Sequence, residues 1–471
     1  MAFALRYSSL SKKQLYTIIM ETSVSEKKSL FSDTAPTVHR SFIINETEDI
    51  IYLPMGLWKK YSTPVEKGKL PLHPNGTPDD FPKMNKKAKF IKELLTPETD
   101  PSGKKRDQVT IVTEAMKQLQ KNSYVFLDVH TGCGKTAMSI YMSVKLGLKT
   151  MIMCPLNTVK DQWGPEYTKY TGNSVKIQYI NGAKCKLDET ADVYVIGPIK
   201  ASKMTHEDFE DIGTLIIDEA HLSASLTFTV SALMFRCRYV IGLTATMDRP
   251  DGLEKIYSHY FGDSKNYIHK TEVKIMTVHK YNTQFKPTIE YVMRGGKSVP
   301  DWAVVINSLD YNIERQKLIA DICVSYPKET IAIFCDRKLF VEGLYKILKE
   351  MGESVDYMHG GKGKIDDSVR ILVIGRKKGG VGFNKADLTM GIIASDTKDV
   401  RQIEGRVRMD DCKIIHLVDD HPTLERHWEV CRKWYTQRGA TFIYEGMEGR
   451  KGGERKKGEK LPLKRMLHPI K

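Results

Sequence analysis

The stretch 124–141, Tyr-Val-Phe-Leu-Asp-Val-His-Thr-Gly-Cys-Gly-Lys-Thr-Ala-Met-Ser-Ile-Tyr, constrains this chain more than any other. Its apolar, β-rich start over 124–127 predicts a buried strand. The run then breaks into a glycine turn, His130-Thr131-Gly132-Cys133-Gly134-Lys135-Thr136. Beyond it Ala137, Ile140, Tyr141 and Val144 recur at helical spacing, and Gly147 predicts the stop. Strand, glycine loop, Lys-Thr and helix together make the phosphate-binding pattern. The glycines let backbone N–H groups close around phosphate oxygens, and the helix N-terminus adds the positive end of its dipole. Lys135 is expected to reach the β- and γ-phosphates, and the Thr136 hydroxyl to hold Mg²⁺. Val129 stands where the general pattern has its first glycine.

A second stretch completes the chemistry. Leu215-Ile216-Ile217-Asp218-Glu219-Ala220-His221 predicts a buried strand that delivers two adjacent carboxylates at its C-terminal end, where open α/β sheets bind ligands. Phosphoryl transfer needs two such groups, one for the Mg²⁺ that bridges the phosphates and one for the attacking water. Asp218 is assigned to the metal and Glu219 to the water.

The 471 residues allow two to four domains, and the formal net charge of +15 calls for an acidic partner, nucleic acid being the default. The eight cysteines, spread over 133–431 with no Cys-x-x-Cys pair, argue against a zinc ribbon or a disulfide framework. They point to a reducing intracellular compartment, nucleus or cytoplasm. No stretch reaches membrane-span length, so no membrane partner is expected, and the N-terminus does not read as a secretory signal.

Taken in order, residues 1–104 form an accessory region with short strands at 42–44 and 50–53 and a helical signal at 88–95. Strands and helices alternate over 105–265, with strands at 150–154, 175–180, 193–196, 215–217 and 239–243, the signature of a parallel sheet. A linker at 266–301 leads to a second α/β block, 302–445, with strands at 331–335, 355–358, 371–374, 389–393 and 414–418. An amphipathic helix bearing Leu339, Phe340, Leu344, Ile347 and Leu348 separates the first two. The tail, 446–471, is basic: residues 450–471 hold nine Lys or Arg against two Glu.

Asp-Glu-Ala-His after a buried strand, preceded by Thr-Gly-Cys-Gly-Lys-Thr, resembles the superfamily 2 helicases and translocases. Gly242-Leu243-Thr244-Ala245-Thr246-Met247-Asp248-Arg249-Pro250-Asp251-Gly252 resembles motif III of one branch, which holds the XPB-like and UvsW-like DNA helicases and the transcript-release helicases of large DNA viruses. Gln402-Ile403-Glu404-Gly405-Arg406-Val407-Arg408 resembles motif VI, Gly380-Val381-Gly382-Phe383-Asn384 motif V, and Arg106-Asp107-Gln108 the adenine-side glutamine motif. Trp163 after Gln162 matches the neighbourhood of motif Ia, with core packing as its more ordinary reading. Two positions depart: Met409 replaces the last arginine of motif VI, and Asn384 replaces the aspartate of motif V. Either Arg408 acts as the arginine finger or Arg406 carries that role alone.

The resemblance implies an α/β protein of two tandem RecA-like parallel-sheet domains with ATP and Mg²⁺ between them. Nucleotide would rest on Gln108, His130, Thr131, Gly132, Cys133, Gly134, Lys135, Thr136 and Gln402. Lys135, Asp218, Glu219, Arg406 and Arg408 would be catalytic, Thr136 and Asp218 would hold the metal, and Thr244 and Thr246 would couple the sites. Nucleic acid, DNA ahead of RNA, would lie on loops near 157–160, 198–203, Arg337 and 376–378. The expected function is an ATP-dependent DNA helicase or translocase in viral transcription (transcript release, with the transcription machinery as partner) or in repair and recombination. The alternatives are a remodelling ATPase that translocates without unwinding and an ATPase-dead nucleic-acid-binding module.

Overall fold

The computed structural model describes residues 1–27, 36–62, 73–100, 106–155, 160–182, 186–222, 225–245, 247, 252–270, 275–294, 296–359, 365–366, 368–375, 385, 387–407, 409 and 411–446. Residues 157–159, 376–378 and 380–384, Thr246, residues 248–251, Arg408 and the basic tail beyond 446 lie outside that set.

The chain opens with β1 (Ala2–Arg6), a helix Lys12–Glu21, and β2 (Ser23–Ser25) paired with β3 (Val38–Arg40). β4 (Ile43–Asn45) and β5 (Ile50–Pro54) join β1 in a three-stranded antiparallel sheet ordered β1-β5-β4. This region is not a loose appendage. Met1, Phe3, Ile18, Leu53 and Met55 are fully buried in the same cluster as Phe126, Met151, Leu215 and Ile217. The Trp58 indole N–H donates to Asn122 O (3.1 Å), and the Asn75 amide donates to Ala2 O (2.8 Å) and Cys237 O (3.0 Å).

The helical signal at 88–95 does not become a helix. The segment runs over the first α/β block instead, spending its backbone on neighbours: Ile91 N–H donates to Tyr170 O (2.8 Å) and Leu95 O accepts from Gln108 N–H (2.9 Å). Phe90 stacks on Tyr170 at 5.4 Å and meets Tyr141 edge-on at 5.3 Å. Tertiary partners outcompete a weak local preference here.

The first sheet contains β6 (Tyr124–Val129), β7 (Thr150–Met153), β8 (Ile177–Ile180), β9 (Val193–Ile196), β10 (Thr214–Ile217), β11 (Tyr239–Thr244) and β12 (Ile268–Lys270). All pair in parallel, in the order β12-β6-β11-β10-β7-β9-β8. Alternate residues serve opposite faces: Met151 and Met153 enter one core, Ile152 the other. Covered on both sides, these strands read as unbroken apolar runs.

A second all-parallel sheet holds β13 (Met276–Asn282), β16 (Ile331–Cys335), β17 (Val355–Met358), β18 (Ile371–Gly375), β19 (Met390–Ile393), β20 (Cys412–Val418) and β21 (Thr441–Gly446), in the order β17-β18-β16-β19-β20-β13-β21. Between β13 and β16 an isolated hairpin forms from β14 (Tyr291–Arg294) and β15 (Lys297–Pro300). Two seven-stranded parallel sheets in tandem are the RecA-like arrangement expected. The stretch 266–301, expected as a linker, differs in detail: it supplies β12 to the first sheet and β13 to the second. Its polarity hid β13, whose buried His279 and Lys280 are matched by Glu445 (2.6 Å) and Glu425 (2.6 Å). No helix among the described residues is long and apolar enough to cross a membrane.

Candidate functional site

Because every strand of the first sheet is parallel, the residues after β6, β7, β10 and β11 gather at one edge. After β6 the backbone turns through Gly132 and Gly134, both at φ +91°, and enters the helix Lys135–Leu146, which Gly147 ends at φ +66°. A side chain at Gly134 would bring its Cβ within 2.2 Å of Gln108 Nε2. That amide donates to Cys133 O (2.9 Å), while its Oε1 accepts from Leu95 N–H (3.0 Å). Gln108 thus ties the glycine loop to the 88–95 segment. The Cys133 side chain is buried, Gly132 is exposed, and Thr136 is the second residue of the helix.

Lys135 Nζ points back along the loop, 3.2 Å from Val129 O and 3.5 Å from His130 O. Burial lowers its pKa, and the opposing charges of Glu219 and Asp218 act to restore it. Asp218 and Glu219 follow β10 directly, with Glu219 at φ +48°, a strained position for a non-glycine residue. Both Asp218 oxygens are held: Oδ1 accepts from Glu219 N–H (2.9 Å) and Oδ2 from the Trp163 indole N–H (3.1 Å). Burial and the neighbouring Glu219 push the Asp218 carboxyl well above its usual range, with Lys135 acting against them. A cationic ligand is the natural relief for such a group.

His221 connects the acids to the next strand. Its Nδ1 lies 3.2 Å from Glu219 Oε2 and 3.1 Å from Thr244 Oγ1 at the end of β11, and its carbonyl accepts from Tyr257 OH (2.7 Å).

The second block closes over this edge. His130, Thr131 and Ala245 line a cavity with Arg401, Glu404, Gly405, Trp434 and Arg438. Gly405 approaches so closely that an added Cβ would sit 2.6 Å from Thr131 Cβ. Arg406 is near enough for its charge to lower the Lys135 pKa. Burial pushes the His130 imidazole down to about 4, leaving it neutral at pH 7. Arg438 and Glu404 form a buried pair in the wall of the cavity, Nε to Oε2 3.3 Å. Gln402 lies in the helix Arg401–Glu404 with its side chain outside the described set, and Arg408 is outside it altogether.

The structure therefore gathers Gln108, residues 130–136, Asp218, Glu219, Thr244 and Arg406 around one cleft. Lys160, expected in a nucleic-acid loop, is instead buried and donates to Ile180 O (2.9 Å). The 198–203 stretch forms the helix Pro198–Ala201 and its following turn, and Arg337 is half-buried. The site roles of Trp163, Arg438 and Gly405 had no sequence signal beyond their motif neighbourhoods.

The fit to ATP and Mg²⁺ rests on donor chemistry. A hydroxyl on Thr136 and a buried carboxylate on Asp218 are hard oxygen donors suited to Mg²⁺, and the glycine loop leaves open space beside Gly132.

Residues 103–249 match the protein family described as Type III restriction enzyme, res subunit. Over 427 residues the chain is 29% identical to the helicase-designated protein 161L of Invertebrate iridescent virus 6, covering 84% of this chain and 89% of that protein. It is 26% identical over 339 residues to the helicase-designated 055L of Frog virus 3 (isolate Goorha), covering 71% and 78%. Among solved structures, S. cerevisiae Dbp5 bound to RNA and ADP BeF3 superimposes with TM-score 0.51 at 13% identity, covering 71% of this chain and 89% of that one, a likeness of fold. Ordered motifs, paired RecA-like sheets and helicase-designated relatives agree in what the chain resembles: the superfamily 2 helicases.

Proposed function

We propose that this chain is an ATP-dependent DNA helicase or translocase that couples hydrolysis in the cleft to movement on DNA. The observation carrying the reading is the convergence of Lys135, Asp218 and Glu219 from one block with Arg406 from the other. Lys135 and the loop amides bind the β- and γ-phosphates, and Gln108, fixed to Cys133 O, borders the adenine side. Thr136 and Asp218 would hold Mg²⁺, which would supply charge neutralisation for the phosphates when bound. Glu219 orients the attacking water, with His221 bridging it to Thr244. Arg406 then completes the site only when the blocks close, with Arg408 as the second candidate finger. Closing and opening in this way would shift one block against the other along a bound strand.

The basic balance of the chain, +15, supports a polyanionic partner held largely through its backbone. The helicase names of viral relatives support a helicase role. The resemblance of residues 242–252 to motif III of one branch carries the narrower reading: viral transcription, with transcript release and contact to the transcription machinery, or repair and recombination. We place the activity in a reducing intracellular compartment.

The test is ATP hydrolysis titrated with single-stranded DNA, duplex DNA and RNA, followed by strand displacement on a tailed duplex. The reading expects DNA to stimulate more than RNA, and Lys135→Ala or Glu219→Gln to remove at least 100-fold of the stimulated rate. Stimulated hydrolysis that survives either substitution overturns the mechanism. Stimulation without displacement leaves translocation without unwinding, and no stimulation leaves a binding module.

A further inference from the structure

We infer that Trp163 is a positioning residue for the divalent cation, acting through its indole N–H on the Asp218 carboxylate. The inference rests on the reading of Asp218 as a metal ligand. It adds a residue outside the phosphate loop and the acidic pair.

A buried tryptophan at the start of a helix could be packing alone, and its geometry argues otherwise. Trp163 is 2% exposed, and its only polar atom is a donor, so it needs an acceptor where water is excluded. The acceptor is Asp218 Oδ2 at 3.1 Å, whereas Oδ1 is taken by the Glu219 N–H at 2.9 Å. The two donors approach different oxygens and together fix the plane of the carboxylate. Each oxygen keeps a lone pair, so a cation or its bound water can still be met.

The indole is itself immobilised from two sides. Gly164 N–H donates to Tyr179 OH (2.8 Å), and a Cβ at Gly164 would reach that hydroxyl at 2.5 Å, so the helix start is seated against β8. One turn on, Tyr167 OH lies 2.9 Å from Ser143 Oγ on the helix that follows the glycine loop. The same helix therefore touches the phosphate-loop helix and holds the metal carboxylate, linking the two halves of the cation site. Partners that orient a ligand in this way commonly change metal affinity by about 10- to 100-fold when removed.

The experiment uses the full chain with ADP and Mn²⁺, the bound ion being counted by electron paramagnetic resonance. Trp163→Phe keeps an aromatic six-membered ring and deletes the N–H together with the rest of the indole's five-membered ring. Tyr167→Phe deletes a buried hydrogen bond on the same helix without touching the carboxylate. The expected result is about 10-fold weaker Mn²⁺ binding for Trp163→Phe. Wild-type metal affinity is expected for Tyr167→Phe, as is unchanged metal-free ADP binding for both. Equal losses in the two variants, or wild-type metal affinity in Trp163→Phe, overturn the inference. Should Trp163→Phe not fold, the five tryptophan indole signals of the ¹⁵N-labelled wild type and of Asp218→Asn decide. The indole that moves in Asp218→Asn must be one that shifts when Mg²⁺ is added to the ADP complex, and no such signal means no such contact. Absence of nucleic-acid-stimulated hydrolysis in the wild type would defeat the helicase reading while leaving this metal measurement interpretable.

Discussion

Gly134 meets two demands at once, a left-handed backbone at φ +91° and an amide nitrogen of Gln108 that would be 2.2 Å from any Cβ. Gly132 has the same φ with nothing within 4 Å of its would-be Cβ, so it isolates the backbone term. Gly134→Ala should therefore lower unfolding free energy by about 2–4 kcal/mol and Gly132→Ala by about 1–2 kcal/mol, compared by urea titration. Fluorescent-ADP binding should fall at least tenfold more in the first, because displacing Gln108 frees the loop carbonyl it holds. The residues of this site were readable to different depths. Lys135, Thr136 and the two acids stand in motifs whose spacing is local, so the linear sequence displays them. Trp163 and Gln108 act through partners 55 and 25 residues away, contacts that no spacing rule announces.

At the scale of elements, the second block is pinned by a buried ion network at the C-terminal ends of its strands. Arg315, on the helix Ile313–Ser325, donates from Nε to Asp419 Oδ1 (2.8 Å) and from Nη2 to Ala394 O (2.6 Å). Asp419 in turn accepts from Thr283 just beyond β13. Arg315→Ala would strand Asp419 without its cation, and the expected loss is about 3–5 kcal/mol in the urea transition of this block, with nucleotide contacts on the first block intact. Strands such as β10 and β16 were legible because both faces are covered and the run is wholly apolar. β13 was not, because its His279 and Lys280 carry polar groups into the sheet and only the acids of β21 and the helix Pro422–Gln437 neutralise them. The 88–95 segment failed in the opposite direction, its helical pattern overruled by aromatic stacking on Tyr170.

For the molecule as a whole, closure of the two blocks is the event that matters, and Gly405 reports it. Its own φ of −65° suits alanine, so Gly405→Ala meets its severest conflict with Thr131 across the cleft, 2.6 Å from the new Cβ, and a milder one with Arg401 O at 3.2 Å. The expected outcome is a stimulated ATPase rate at least tenfold lower with fluorescent-ADP affinity changed less than twofold, since closure is the step chiefly obstructed. The seam between the N-terminal region and the first sheet should respond to acid. Burial lowers His259, which faces Ser41 Oγ at 3.1 Å, to about 4 and His73 to about 3, against 6.5 when exposed. The unfolded chain takes up these protons first, so stability is complete above about pH 6.5 and falls as pH drops toward 4, by roughly 2 kcal/mol for each histidine at pH 5. Urea midpoints at pH 7 and pH 5 measure this, and His259→Gln should remove about half of the difference, the His73 share remaining. By itself the sequence determined the strand–loop–helix cradle, the paired acids and the tandem α/β order, because each depends on neighbours close along the chain. Only the tertiary structure decided that Met1, Phe3, Ile18, Leu53 and Met55 complete the core of the first block, that Gln108 and Trp163 brace the site, and that Gly405 and Arg406 come up to the phosphate loop. Those outcomes depend on packing between segments that local periodicity cannot relate.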